Sequence, residues 1–376
     1  MADKRIFLSL AHMSGHEQRF IQEAFDTNWV VPLGPNVNGF EKDLEGFLGE
    51  NKRVVALSAG TAAIHLGLLQ LGLDAGDEVI CQSFTFAASV NPVVYCGATP
   101  VFVDSEEDSW NMNPELLETA IKDRIAKTGK KPKAIVPVHL YGMPARMDAI
   151  LDIAARFEIP VMEDAAEALG SEYRGRKCGT FGDFGALSFN GNKMITTSGG
   201  GALICKDEET AARTLFYATQ ARENRPYYFH EKIGYNYRLS NISAGIGRGQ
   251  MFVLREHIAR RREICKLYTE AFAETPGITV KKNPGKDFDS NFWLSCILVD
   301  PEKFGKTADE IRLKLEAANI ESRLLWRPMH MQPIYAKNAF YGSGVAEKTF
   351  GCGLCLPSGP ALTNDDIATV VKEILR

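Results

Sequence analysis

The chain has 376 residues, 45% of them hydrophobic and 24% charged, the balance of a protein that buries a large core. Its formal charge of −4, from 43 basic and 47 acidic side chains, offers no attraction to nucleic acid or to an anionic membrane. No apolar run approaches the ~18 residues of a membrane span, residues 1–18 lack the pattern of a secretory signal, and eight scattered cysteines read as reduced thiols of a cytoplasmic protein.

Strand-like and helix-like patterns alternate from residue 53 onward. "RVVALS" (53–58) is a short apolar run, and Ile64, Leu68 and Leu71 after it fall on one helix face. "DEVICQ" (77–82) predicts a strand, "PVVYCG" the end of a helix begun near Ala87, and "TPVFVD" (99–104) a second strand. "KAIVPVHLYG" (133–142) reads as a further strand, Met147, Ile150, Leu151 and Ala154 as a helix, and "IPVMED" (159–164), "FGALSF" and "GALICK" as strands. The alternation predicts a mostly parallel sheet covered on both faces. Residues 241–274 predict one long helix, with the basic run "REHIARRREICK" (255–266) on one face of it. Separated strands such as "FWLSCILV" (292–299) and a helix over 307–318 follow. A large α/β domain over residues 1–249 and a smaller α+β domain over 250–376 are expected.

Ligands of open α/β sheets gather at the carboxyl ends of the strands. Gly60 and Thr61 stand where a strand gives way to a helix, a place whose free N–H groups suit a phosphate or simply an ordinary capped helix start. Asp164 ends an apolar strand with Glu167 three residues on, which fits either a capping box or a carboxylate for a buried cation. Lys193 stands alone in "SFNGNKMITTSGGG" (188–201), either a solvated loop lysine or, with its pKa lowered by burial and positive neighbours, a nucleophile. A phosphate turn, a strand-end aspartate and a lysine on one rim suggest pyridoxal phosphate. The lysine would hold the aldehyde and the aspartate would keep the ring nitrogen protonated.

The segments "SAGTAAIHLGL", "EVICQSFTFAASVNPVVYCGATPVFVD", "VPVHLYGMPARMDAI", "VMEDAAEALGS", "GDFGALSFNGNKMITTSGGGAL", "GYNYRLSNISAGIG" and "RPMHMQPIY" occur in that order. Together they resemble the DegT/DnrJ/EryC1/StrS sugar aminotransferases over nearly the whole chain. The resemblance implies a fold-type-I, aspartate-aminotransferase-like subunit with a large mostly parallel-sheet domain and a smaller α+β domain. It also implies a homodimer with active sites at the interface. By position, Lys193 and Asp164 would be the catalytic pair. Gly60, Thr61 and Ser188 would cradle the phosphate, Phe86 would stack on the ring, and Glu167 would stand where many members carry glutamine. Asn236 would reach the partner subunit's phosphate. Lysine rather than histidine at 193 resembles the transaminases of the family, not its dehydratases.

The N-terminal "NWVVPLGPNVNGFEKDL" resembles the nucleotide-sugar pocket of UDP-4-keto-6-deoxy-N-acetylglucosamine 4-aminotransferases. Asn28, Trp29, Trp326, Arg327 and His330 are the expected substrate side, and L-glutamate the implied donor. A 3-amino or a TDP- or GDP-sugar transaminase is the alternative. A nucleotide-binding oxidoreductase is a remoter one, since "GIGRGQ" (245–250) lies inside an expected helix with no strand before it. His12 and His16 lack a third ligand, and "CGLC" (352–355) reads as a loop, so no metal site is expected.

Overall fold

The apolar runs between residues 53 and 205 become the strands of one large sheet in the computed structural model, which describes residues 5–49 and 51–376. From edge to edge the order is Arg53–Leu57, Gly201–Cys205, Phe184–Ser188, Met162–Asp164, Ala134–Val136, Glu78–Gln82, Thr99–Val103 and Phe340–Tyr341. Single bridges from Ile135 to Val161 and from Val138 to Asp164 join its two halves. Pairing is parallel except at Gly201–Cys205, which runs against both neighbours. That reversal makes residues 189–200 the connection of a hairpin, so the loop carrying Lys193 stays at the carboxyl rim instead of crossing over the sheet.

The helix Gly60–Gln70 is buried along almost its whole length between sheet and neighbouring elements, and it starts close against the hairpin. A Cβ at position 201 would lie 2.3 Å from the Gly60 nitrogen, so only glycine lets helix and strand approach this closely. The smaller sheet runs Ile278–Val280, Ser295–Val299, Gly353–Leu356, Arg323–Leu324, antiparallel throughout.

Several local expectations change. The strand expected over 133–142 covers only Ala134–Val136, because Pro137 has no N–H for a ladder, and a 3-10 turn Leu140–Gly142 follows. The long helix expected over 241–274 is two, Asn241–Met251 and Leu254–Ala271, broken at Phe252 and Val253. No helix follows Asp164: residues 165–170 form turns, which removes the capping-box reading. "CGLC" is the junction of the helix Val345–Cys352 with the strand Gly353–Leu356, and Cys355 Sγ lies 3.8 Å from Cys296 Sγ across the strand pair. The chain also crosses between the large sheet and the small one. Ile6 pairs with Ile320 beside the small sheet, while Met329 and Tyr335 pack into the core of the large one.

One residue of the basic run joins these parts. Arg261, on Leu254–Ala271, is only 1% exposed. Its guanidinium donates to Trp293 O at 2.5 Å, Ser358 O at 3.1 Å, Ser9 Oγ at 3.0 Å and Lys193 O at 3.3 Å. All are neutral acceptors, and burial pushes its pKa down to about 9. An ammonium cannot span this planar fork. Arg261→Lys is expected to lower the free energy of urea unfolding by about 3 kcal/mol, the cost of leaving two or so buried acceptors unpaired.

Candidate active site

The carboxyl rim holds a cavity of about 270 Å³ between the Gly60 helix, the hairpin loop and the loop at Trp326. Gly60, Thr61, Phe86, Asp164, Glu167, Ser188, Lys193 and Trp326 all line it, so eight of the residues singled out in the sequence meet at one place.

At one end, the helix Gly60–Gln70 begins after Ala59, whose extended backbone makes the turn but whose side chain can cap nothing. The first-turn N–H groups are left for an anion, aided by the partial positive charge of the helix end. Thr61 and Ser188 add hydroxyls to the same lining, and a Cβ at position 60 would press on Ser188 Cβ at 3.1 Å. This is a cradle that a phosphate fits.

Asp164 ends its strand with both carboxylate oxygens held. Ala166 N–H donates to Oδ1 at 3.0 Å and Ser89 Oγ donates to Oδ2 at 2.5 Å. Thr85 Oγ1 lies 2.7 Å from Ser89 Oγ. The serine proton is committed to the carboxylate, so threonine donates to serine and the hydroxyl chain has one direction. An oriented, charge-assisted carboxylate of this kind can hold a protonated ring nitrogen.

Lys193 Nζ sits 3.1 Å from Glu167 Oε1 and 4.0 Å from the centroid of the Trp293 ring. The sequence suggests a positive neighbour; the fold supplies a carboxylate and an aromatic face instead. Glu167 Oε2 accepts the Tyr141 N–H at 2.7 Å. Burial pushes the Glu167 carboxyl up to about 7, against the pull of Lys193 and of the Tyr141 N–H. The backbone around Lys193 is pinned as well: Asn192 O accepts from Trp293 Nε1 at 2.7 Å and from Ser9 Oγ at 2.8 Å.

Neighbouring groups that look chemical are locked. His139 Nε2 and Glu163 Oε2 lie 2.9 Å apart, both side chains fully buried. His139 Nδ1 accepts the Ala145 N–H, so these contacts assign the ring proton to Nε2, facing Glu163.

The other expected residues do not reach the cavity lining. Asn28 and Trp29 lie on the exposed turn between the helices Glu17–Asp26 and Pro35–Leu48, and Trp29 O accepts from Asn241 Nδ2. Asn236 is exposed on the segment bridged to Thr219. Arg327 is exposed beside Trp326. His330 is expected on the substrate side but is held elsewhere. Nδ1 lies 2.6 Å from Ser83 Oγ, Nε2 2.8 Å from Glu347 Oε1, and the ring stacks on Phe340 at 3.7 Å.

Ser89, Trp293 and Tyr141 escape sequence reasoning. Tyr141 carries the clearest local mark, φ 55 and ψ 21, a left-handed conformation that costs a non-glycine residue roughly 1–3 kcal/mol and gathers at functional sites. Nothing in "VHLYGM" signals it beyond the glycine that follows.

Comparison with known proteins identifies the family. The model of the DegT/DnrJ/EryC1/StrS aminotransferase family matches residues 12–375. The chain is 46% identical over 376 residues to EpsN of Bacillus subtilis strain 168, named as a pyridoxal phosphate-dependent aminotransferase, covering 99% of this chain and 95% of that one. It is 38% identical over 370 residues to a GDP-perosamine synthase of Caulobacter vibrioides, covering 98% and 97%. A crystal structure of a DegT DnrJ EryC1 StrS aminotransferase from Brucella abortus superposes with a TM-score of 0.89 at 32% identity, covering 96% and 94%. The chain is therefore a pyridoxal phosphate-dependent aminotransferase of fold type I, and it belongs to the DegT/DnrJ/EryC1/StrS family.

Proposed function

We propose that the protein transfers an amino group from L-glutamate to a nucleotide-linked 4-keto-6-deoxy sugar, with UDP as the nucleotide. The observation that carries this reading is the meeting of Lys193, Asp164 and an uncapped helix start on one cavity. The relative named GDP-perosamine synthase supports a nucleotide-linked substrate, and it makes a GDP-linked sugar the competing choice.

Pyridoxal phosphate, when bound, supplies an aldehyde to carry the amine and a ring that draws electrons from the substrate carbon. The chain supplies the rest. Gly60, Thr61 and Ser188 bind the phosphate, and Phe86, 55% exposed at the cavity edge, covers the ring. Asp164 keeps a proton on the ring nitrogen. Lys193 Nζ takes the proton from the donor's alpha carbon and later returns one to the sugar's carbon 4, so one amine anchors and shuttles. Glu167, in contact with that amine, offers it a carboxyl partner near neutral pH. Trp29, Trp326, Arg327 and Asn28 form the substrate side, with Arg327 suited to a diphosphate. His330 serves there as an anchor rather than a contact.

The active unit is a homodimer in this reading. Asn236 cannot serve the cavity of its own chain, being exposed and absent from its lining. Its loop exposes Tyr228 at 81% and Ile233 at 83%, apolar surface that a second copy would cover. Among the described residues no helix is long and apolar enough to cross a membrane. The cysteines are unpaired, which suits the cytoplasm.

Incubating the purified protein with glutamate and a panel of UDP-, GDP- and TDP-linked keto sugars is the direct test. Amine appearing at carbon 4 of the UDP sugar, at a rate well above the others, is expected; preference for a 3-keto or a GDP-linked sugar would replace this reading. Borohydride reduction followed by mass spectrometry should place the cofactor on Lys193, and Lys193→Ala should lose both the label and turnover. Asp164→Asn should retain part of its cofactor and lose most activity, because an amide cannot hold the ring nitrogen protonated. Glu167 gives a pH signature. Its folded pKa of about 7 lies above the ordinary 4.5, so the native state holds this proton more tightly than the unfolded one. Its contribution to stability is complete at low pH and is lost as pH rises through about 7. Glu167→Gln should flatten that fall, measured as urea-unfolding free energy between pH 5 and pH 8.

A further inference from the structure

We propose that Tyr141 is a positioning residue for the sugar half-reaction, tying the loop at Trp326 to the carboxyl partner of Lys193. The inference rests on the amino-transfer reading above.

After the strand Arg323–Leu324 the chain leaves the small sheet and runs through Trp326, which lines the cavity, to Arg327 and Pro328. It is fastened at both ends of that passage. At the far end Met329 N–H donates to Ser83 O at 2.7 Å and His330 N–H to Ser83 Oγ at 3.3 Å. At the near end Trp326 N–H donates to the phenol oxygen of Tyr141 at 2.9 Å. Pro328 has no N–H to add. The Tyr141 phenol therefore sets where Trp326 and Arg327 stand relative to the cavity.

The same residue reaches the other side of the site. Its backbone N–H holds Glu167 Oε2, while Glu167 Oε1 meets Lys193. Its ring lies 5.0 Å from Trp326 and 6.3 Å, stacked, from Trp293, whose face receives Lys193 Nζ. Burial, then the Cys355 and Cys296 thiols, push the phenol well above its ordinary pKa, so it stays protonated and keeps its oxygen as a neutral acceptor. The left-handed backbone at Tyr141 is what lets one residue point its N–H at Glu167 and its ring at Trp326.

Tyr141→Phe keeps the ring and the backbone N–H and removes only the acceptor for Trp326. With single-turnover absorbance the two half-reactions are measured apart: glutamate against the pyridoxal form, then the best keto sugar of the panel against the pyridoxamine form. The glutamate step is expected to change by less than about twofold. The KM for the sugar should rise about tenfold, the usual effect of stranding a partly buried N–H. The amino-sugar product, titrated by tryptophan fluorescence, should bind more weakly by the same factor. Tyr141→Leu, which also removes the ring, should slow both steps. Equal losses in both half-reactions of Tyr141→Phe, or none in either, would overturn the proposal. A wild-type protein that does not react with glutamate would instead overturn the amino-transfer reading.

Discussion

A buried guanidinium without a carboxylate partner sets the geometry on which the site depends. Arg261 gathers carbonyls and a hydroxyl from residues 9, 193, 293 and 358, four stretches of chain that also hydrogen-bond to one another, as at Asn192 O. Desolvating a cation is expensive, and four acceptors at its two terminal nitrogens offset that cost while Nε has none. The cost enforces the arrangement: the N-terminal segment, the lysine loop and the entry to the small sheet must all be in place, or the charge is stranded. Lys193 thus inherits a fixed backbone from a residue that never touches its amine.

From that fixed point the electrostatics of the cavity divide by position. The helix start at Gly60 offers positive potential, and Asp164 opposite offers an oriented negative one, its oxygens taken up by Ala166 and by the chain of hydroxyls from Thr85 through Ser89. Between them Lys193 has two alternatives to solvent, a carboxyl that titrates near neutrality and the face of an indole. Each of these groups is backed by main-chain bonds, so the site is preorganised on strand ends and turns instead of on mobile side chains.

The sequence reveals most clearly what is periodic or terminal. Apolar runs mark the strands of the large sheet, and residues at or just past their ends, Asp164, Ser188 and Gly60, land on the rim because consecutive parallel strands share a direction. Lys193 follows for the same reason, once the hairpin keeps its loop on that rim. What stays hidden depends on contacts between distant segments. The burial of Arg261 within "REHIARRREICK" cannot be read from its neighbours, since its partners come from elsewhere in the chain. Tyr141 hides inside a run that looks like a strand until Pro137 ends it. The turns after Asp164 look like a helix cap because both use a short acid followed three residues later by another. His330 sits in a matching motif, yet Ser83, Glu347 and Phe340 claim both faces of its chemistry.

The reversed strand Gly201–Cys205 has a bearing on how the molecule assembles. Arg53–Leu57 pairs with it along its whole length, with one further bridge from Leu57 to Arg238, and the two paired strands lie about 150 residues apart along the chain. The closing of so long a loop gains little until the intervening strands have formed a template for it. The anion cradle at Gly60, pressed directly against Gly201, therefore needs both partners of this pairing, and the cavity it opens on is closed only when Trp326 has joined the lining.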